Sequence, residues 1–421
     1  MKKYQVMKIG GAVLNKPENF KCLINIIDKY CALPTIFVFS AFSKLSRKLR
    51  ELAKIAKNNG LDSAKLNFAE IRREIDLFVQ VLLPDNHFFD KAQNRLSRLY
   101  EEIEKILFGI SVTKELTSRT LDRVLSFGEY ISSIILQEYL KFEQIEAIFI
   151  DSAEIIITDT NYGSAKPIVA KTAELVQKLL LPKFNESNII FLPGFIGSSE
   201  NKTITTMGFE SSNLTALLLA SIIQAEALVF WTDVKGIRTS DPKIVDGTQL
   251  IPSISFDDSY IASLNGLKLI HPSMYEYFRQ NPHIQYIYKS AFEPDDEETI
   301  VAPNTKQRAN ILLISEPYSF NQLSKENNEF IKDAHFYLYS KDFSFLLRED
   351  TANHHQTEDV ISIISILNIP GEKIVPLLDK IYDKIRFFYV YPEKTISKLF
   401  LGAKDVGEVA NYLHSFLFLK K

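Results

Sequence analysis

Tyr4-Gln-Val-Met-Lys8-Ile-Gly10-Gly11 reads as a short apolar strand that runs into a two-glycine turn. Behind it, Phe20–Tyr30 carries helical periodicity, and Thr35-Ile-Phe-Val-Phe-Ser40 is a second β-rich run. Strand, helix, strand in that order predicts a βαβ unit, hence a parallel sheet. The rest of the first 300 residues extends this pattern. Lys44 to Tyr139 turns helical, a long insertion punctuated by Leu83-Pro-Asp-Asn86. Alternation then returns with a strand at Ala147–Asp151, a helix over Pro167–Leu181, a strand at Asn188–Leu192, a helix over Leu214–Ala225 and a strand at Ala227–Trp231. The prediction is an α/β layer fold with ligand loops at the carboxyl ends of the strands.

The texture changes near Thr305, after Glu293-Pro-Asp-Asp-Glu-Glu298 and Pro303-Asn-Thr-Lys-Gln-Arg308. Two domains are predicted, 1–305 and 306–421. The second reads as a small α+β regulatory or interaction module. Its expected strands are Ala309–Ser315, His335–Tyr339, Phe343–Arg348, Val360–Leu367, Arg386–Tyr391 and Ser397–Leu401. Its expected helices lie within Phe320–Ile331 and over Lys373–Ile381 and Asp405–Leu417.

Composition narrows the function classes. Lys plus Arg (49) against Asp plus Glu (52) leaves a formal charge of −3 over 421 residues, which offers no overall attraction to nucleic acid or anionic membrane. The apolar runs are too short for a membrane span, and the start reads as a buried strand rather than a signal peptide. Two cysteines, Cys22 and Cys31, make no disulfide framework, and a reducing cytoplasm is expected. Glycine is scarce: 15 residues, about half the usual ~7% share, so Gly10-Gly11 carries extra weight.

Several site types fail on inspection. There is no G-x-S-x-G and no G-x-G-x-x-G. Gly197-Ser-Ser-Glu-Asn-Lys202-Thr203 imitates the end of a phosphate loop, but Asn201 and Ile196 occupy positions where bare glycine backbone is needed. His354-His355 with Glu358 lacks a third ligand, and no metal site is expected. Lys8-Ile-Gly10-Gly11 remains: a glycine turn that exposes N–H groups to an anion, with a lysine beside it. Taken alone it reads more readily as a surface lysine before an ordinary turn. A second segment, Trp231-Thr232-Asp233-Val-Lys-Gly-Ile-Arg238-Thr-Ser-Asp-Pro-Lys243, leaves a buried strand for a loop of hydroxyls and charges suited to a ribose, a purine edge and phosphates.

Together these segments resemble the amino-acid kinase superfamily. Three further stretches narrow the resemblance to aspartokinases: Ser126-Phe-Gly-Glu129-Tyr-Ile-Ser132; Gly194-Phe-Ile-Gly197 followed by Thr205-Thr206-Met-Gly208; and Gly266-Leu-Lys268-Leu-Ile-His271-Pro272. Ser40-Ala41 with Lys44, and Ser290-Ala-Phe-Glu-Pro294, match two strand ends of that family. The resemblance covers about residues 2–302. It continues more weakly to Leu401-Gly-Ala-Lys-Asp-Val-Gly-Glu-Val-Ala and Leu413-His-Ser-Phe-Leu, which look like the end of a pair of ACT domains.

The resemblance implies a monofunctional, cytoplasmic enzyme with an amino-acid kinase fold followed by ACT-like domains, dimeric through its C-terminal module. It would use ATP with Mg2+ to phosphorylate the side chain of L-aspartate, the first step toward lysine, threonine and methionine. Lys8, Gly10 and Gly11 would hold the transferred phosphoryl, and Lys268 the nucleotide phosphates. Ser40, Glu129 and Ser212 would bind the acceptor, with Glu129 on its ammonium. Thr232, Asp233, Arg238 and Lys243 would line the nucleotide. Asn213 would stand between the two lysines.

Departures accompany the matches. The family loop G-R-G-G-S-D is here Gly208-Phe209-Glu210-Ser211-Ser212-Asn213, without the arginine and the aspartate. K-F-G-G-T-S-V has become Lys8-Ile-Gly-Gly-Ala12-Val13-Leu14, which removes two hydroxyls. Arg238 and Lys243 stand where tyrosine and arginine are common. Two alternatives stay open: a nucleotide-binding but inactive homologue with a regulatory role, and a kinase for another small carboxylate.

Overall fold

The computed structural model describes residues 3–42, 45–208, 211–315, 318–322, 336–339, 344–349, 360–391 and 396–419. The chain forms two compact units, residues 1–235 with 276–300, and residues 236–275 with 301–421.

In the first unit, β1 (Gln5–Ile9), α1 (Phe20–Tyr30) and β2 (Thr35–Phe39) make the predicted βαβ element. Four helices follow: α2 (Leu45–Asn59), α3 (Leu61–Leu82), α4 (Asn86–Thr113) and α5 (Ser118–Phe142). They are the predicted helical insertion. The Asp85 side chain caps α4 through the His87 N–H, and Thr117 caps α5 through the Thr120 N–H, so sequence chemistry marks both starts. The chain continues through β3 (Ile148–Phe149), α6 (Ser152–Ile155), β4 (Ile157–Thr158) and α7 (Val169–Leu175). Then come β5 (Ile189–Pro193), β6 (Ile196–Ser199), β7 (Ile204–Thr206), α8 (Ser212–Ile223) and β8 (Ala227–Thr232).

After β9 (Ser253–Ser255), α9 (Phe256–Ser263) and α10 (Met274–Gln280), the strand β10 (Gln285–Ser290) returns to the first unit's sheet. Six of that sheet's eight strands run parallel in the order β3-β5-β2-β1-β8-β10. β2 is buried along its whole length, the signature of a strand covered on both faces. The core runs without a break from the sheet residues Phe37, Phe39 and Phe191 into Leu49, Phe68, Leu96 and Leu136 of the helices. Trp231 and Cys22 are buried in it, while Cys31 is half-buried and packs against it. A small second sheet orders β4-β6-β7.

The second unit follows β11 (Thr299–Ala302) with β12 (Ile311–Ile314), β13 (Tyr318–Gln322), β14 (Phe336–Tyr339), β15 (Ser344–Glu349) and β16 (Val360–Leu367). The chain closes with α11 (Gly371–Leu378), β17 (Ile385–Tyr391), β18 (Ile396–Gly402) and α12 (Val406–His414). The sheet is antiparallel in the order β14-β15-β13-β16-β18-β17, with β12 also on β16. Tyr318-Ser-Phe-Asn-Gln pairs with β15 over five residues, so the first three residues of the stretch Phe320–Ile331 are strand, and the rest of that stretch, where a helix is expected, lies outside the described residues. Residues 323–331, and His354, His355 and Glu358, lie outside the described residues. Among the described residues no helix is long and apolar enough to cross a membrane.

Candidate active site

The first unit gathers its predicted residues where a parallel sheet should present them, at the carboxyl ends of adjacent strands. Hydrogen bonds run one step past the strands and fix the exits side by side. Gly10 N–H donates to the Trp231 carbonyl at 3.1 Å, Ser40 N–H to Ile9 at 3.3 Å, and Gly194 N–H to Phe39 at 2.7 Å. The loops carrying Gly10-Gly11, Ser40-Ala41, Gly194 and Thr232-Asp233 therefore leave the sheet as one row.

Lys8 lies on β1 between Val38 and Phe230 of the neighbouring strands. Its ammonium stands 3.6 Å from where a Cβ on Gly10 would sit. Gly11 is required by close approach: a Cβ there would fall 2.4 Å from the Ala41 carbonyl oxygen. The turn thus keeps bare backbone under a lysine, a cradle that suits an anion.

Helix α5 passes beside the β2 exit and takes the two N–H groups that follow Ser40. Glu129 Oε1 accepts from Ala41 at 3.3 Å, and Ser132 Oγ from Phe42 at 3.1 Å. Glu129 is 2% exposed, and its Oε2 has no hydrogen-bond partner among the described residues. Burial pushes its carboxyl up to about 8, against a smaller lowering by the Ala41 N–H.

The first turn of α8 supplies Ser212 and Asn213. Gly194 is packed against it so closely that a Cβ would meet Ser212 Cβ at 2.5 Å. This puts the helix N-terminus, with its positive dipole end, beside the β5 exit. Asn213 Oδ1 and Ser211 Oγ are both buried without partners among the described residues. Phe209 and Glu210, and Lys44, lie outside the described residues. Thr232 spends its hydroxyl within its own turn, donating to the Val234 carbonyl at 2.8 Å, and Asp233 follows it.

Arg238, Lys243 and Lys268 belong to the second unit. Arg238 Nε donates to Thr248 Oγ1 at 2.7 Å and its Nη2 to the Thr248 carbonyl, so the guanidinium braces its own loop. Lys243 is exposed, with its N–H on Asp241 Oδ1 at 2.9 Å. Lys268 is exposed just after Gly266, which has φ +113° and would place a Cβ 2.7 Å from the Ile314 carbonyl oxygen.

Sequence reasoning missed Asp122. Fully buried on α5, it accepts from Thr206 Oγ1 (2.6 Å), Thr206 N–H (2.9 Å) and Gly163 N–H (3.0 Å). It pins the strand that leads into Gly208. No local signal marked it, since Ser126 and Glu129 on the same helical stripe are polar as well. The segment 197–203 is a β6–β7 hairpin, with Ser199 N–H on the Thr203 carbonyl, consistent with its rejection as a phosphate loop.

Residues 3–285 match the pattern of the Amino acid kinase family. The lysine-sensitive aspartokinase 3 of Escherichia coli (strain K12) is 36% identical over 178 residues, 41% of this chain and 39% of that protein. Aspartokinase 2, chloroplastic, of Arabidopsis thaliana is 28% identical over 298 residues, 70% of this chain and 54% of that protein. These alignments span between two-fifths and just over half of the relatives' own lengths. Among solved structures, E. coli aspartokinase III in complex with aspartate and ADP superposes with a TM-score of 0.80 at 21% identity, over 99% of this chain and 100% of that one. Clostridium acetobutylicum aspartate kinase gives 0.66 at 20% identity, with 99% and 100% covered. At such identities the structural likeness speaks for the fold. The family pattern spans the glycine turn, the helical insertion, the α8 loop and strand β8, and the chain belongs to the amino acid kinase family.

Proposed function

We propose that this chain transfers the γ-phosphoryl of MgATP to the side-chain carboxylate of L-aspartate, giving 4-phospho-L-aspartate and ADP. The carboxylate oxygen forms the new bond to phosphorus, and the bond to the β,γ-bridging oxygen breaks. The protein's task is alignment and charge compensation rather than covalent chemistry. Lys8 with the Gly10 and Gly11 N–H groups would meet the transferred phosphoryl, and Lys268 the nucleotide phosphates. Thr232, Asp233, Arg238 and Lys243 would line the nucleotide. Ser40, Ser212 and Glu129 would hold the acceptor.

The observation that carries this reading is Glu129. A carboxyl group enclosed at the β2 exit, with one oxygen unpartnered among the described residues, calls for a cation, and an amino acid's ammonium supplies one. The names of the aligned relatives supply the acceptor. Mg2+ would arrive with the nucleotide, since magnesium in phosphoryl-transfer sites commonly rides on substrate phosphates. We further assign residues 1–305 to catalysis and 306–421 to an ACT-like module that pairs two copies. The setting is cytoplasmic, at the start of lysine, threonine and methionine synthesis.

The deciding assay is hydroxamate trapping of the acyl phosphate with aspartate, glutamate or no acceptor. Trapping with aspartate alone supports the proposal, and trapping with glutamate alone moves the function to another carboxylate. Nucleotide binding without any trapped product would favour an inactive regulatory homologue. Asn213 is the observation behind that second reading, because a neutral amide gives up the charge-assisted bonds of an aspartate.

A further inference from the structure

The loop assigned above to the nucleotide is held by the last helix of the chain. Thr239 is the hub. Its N–H donates to the Gln249 carbonyl at 2.9 Å, its carbonyl accepts the Leu312 N–H of β12 at 2.8 Å, and its Oγ1 accepts the Gln249 N–H at 2.9 Å. The same hydroxyl is hydrogen-bonded to His414 Nε2 at 2.9 Å, with both residues buried.

One turn earlier on α12, Asn411 clamps the far side of the loop. Its Oδ1 accepts the Asp246 N–H and its Nδ2 donates to the Ile244 carbonyl, each at 2.9 Å. Between these two anchors, Val245 is fully buried in the core made by Leu312, Ile364, Leu399, Val409 and Leu413. Strand β12 extends the arrangement: Leu312 holds Thr239, and Ile314 backs Gly266, two residues before Lys268.

We infer that Asn411 and His414 are positioning residues for the nucleotide, which act by holding the 238–249 loop on α12. The C-terminal helix thereby sets the affinity for ATP without touching it. This rests on the nucleotide reading of that loop. It assigns to α12 an effect on the nucleotide, because Asn411 and His414 grip the nucleotide loop.

The test uses the full chain and the variants Asn411→Ala, His414→Ala and His414→Gln. MgADP binding is measured by calorimetry without acceptor, with KM for ATP, KM for aspartate and kcat alongside. Each alanine variant should weaken MgADP binding and raise the ATP KM by about fivefold, the factor carried by one lost hydrogen bond. The aspartate KM and kcat should stay within about twofold. His414→Gln, whose amide can reach the Thr239 hydroxyl, should restore most of the loss. Asn411 is only half-buried, so its variant decides the matter if His414→Ala fails to fold. MgADP binding unchanged in Asn411→Ala overturns the inference, as does an equal rise in both KM values. A wild-type chain that binds no MgADP overturns the nucleotide reading itself.

Discussion

Glu129 and Ala41 meet across the site's floor, the helix carboxyl accepting the strand-exit N–H at 3.3 Å while its second oxygen has no partner among the described residues. One oxygen thus shapes the β2 exit, and the other is the one we assign to the acceptor's ammonium. Burial keeps the group mostly neutral at pH 7, with its pKa pushed up to about 8.

Binding an ammonium there should therefore release a proton. At pH 7, aspartate binding measured by calorimetry in buffers of different ionisation enthalpy should release close to one proton. The release should fade above pH 8 and vanish in Glu129→Gln. That variant should lose about a hundredfold in kcat/KM for the acceptor, the scale of an unpaired charge in the complex. In the free protein the folded chain holds this proton more tightly than the unfolded one. The group's contribution to stability is thus full below the ordinary glutamate range and lost as pH rises through about 8. Proton uptake on binding, or none at pH 7, would remove Glu129 from the acceptor site.

The two turn glycines should behave differently. A Cβ on Gly11 would strike the Ala41 carbonyl at 2.4 Å, and backbone must move, so Gly11→Ala should cost about 1–3 kcal/mol of stability. A Cβ on Gly10 would meet Trp231 at an ordinary 3.5 Å and crowd only the Lys8 ammonium at 3.6 Å. Gly10→Ala should stay within about 0.5 kcal/mol of wild type yet slow the kinase. Thermal melts beside turnover separate the two, and equal melting temperatures would contradict the close-approach argument.

Lys8→Ala and Lys268→Ala should each lower turnover at least tenfold, since each deletes a positive charge from a transition state that gathers negative charge. Neither should melt much earlier than wild type. Wild-type rates in both would sink the phosphate assignments.

The strand exits were legible because their signals are local. Gly10-Gly11 after an apolar run, and Thr232-Asp233 after Ala227–Trp231, report a parallel sheet and its ligand edge on their own. Glu129 was legible only through resemblance, since nothing in a helical stretch says which carboxylate is enclosed. Asp122 and His414 were not legible. Their roles depend on partners 84 and 175 residues away, Thr206 and Thr239, which pairing across the fold brings within reach. Strand β13 was not foreseen for the same reason: its state is set by β15, not by its own five residues.

Asn213→Asp tests the rebuilt loop. The amide oxygen is buried without a partner among the described residues, in the first turn of α8, where the helix dipole favours negative charge. The aspartate should therefore be tolerated and should keep or raise the kinase rate. A clear loss of rate on introducing the charge would mean that the loop is organised around the amide, and would favour a different acceptor. Hydroxamate assays of the two forms with aspartate and glutamate distinguish these outcomes.

Regulation by end products should be weak. By the resemblance to aspartokinases, an effector would enter beside a glycine before the first regulatory helix, where N–H groups would receive an amino acid's carboxylate. The corresponding stretch, Ile314-Ser-Glu-Pro-Tyr-Ser-Phe-Asn-Gln-Leu323, has no glycine, and Glu316 adds negative charge. Glu316, Pro317 and Leu323 lie outside the described residues. The described part, Tyr318–Gln322, is a strand whose backbone pairs with β15, which leaves fewer N–H groups for a ligand. We expect a dimer through residues 306–421 that lysine and threonine do not inhibit. Light scattering of the full chain should show whether it is dimeric. Titrating each amino acid into activity and thermal-shift assays tests the rest. Inhibition or stabilisation at sub-millimolar lysine or threonine would show that an effector site exists and that the missing glycine does not forbid it.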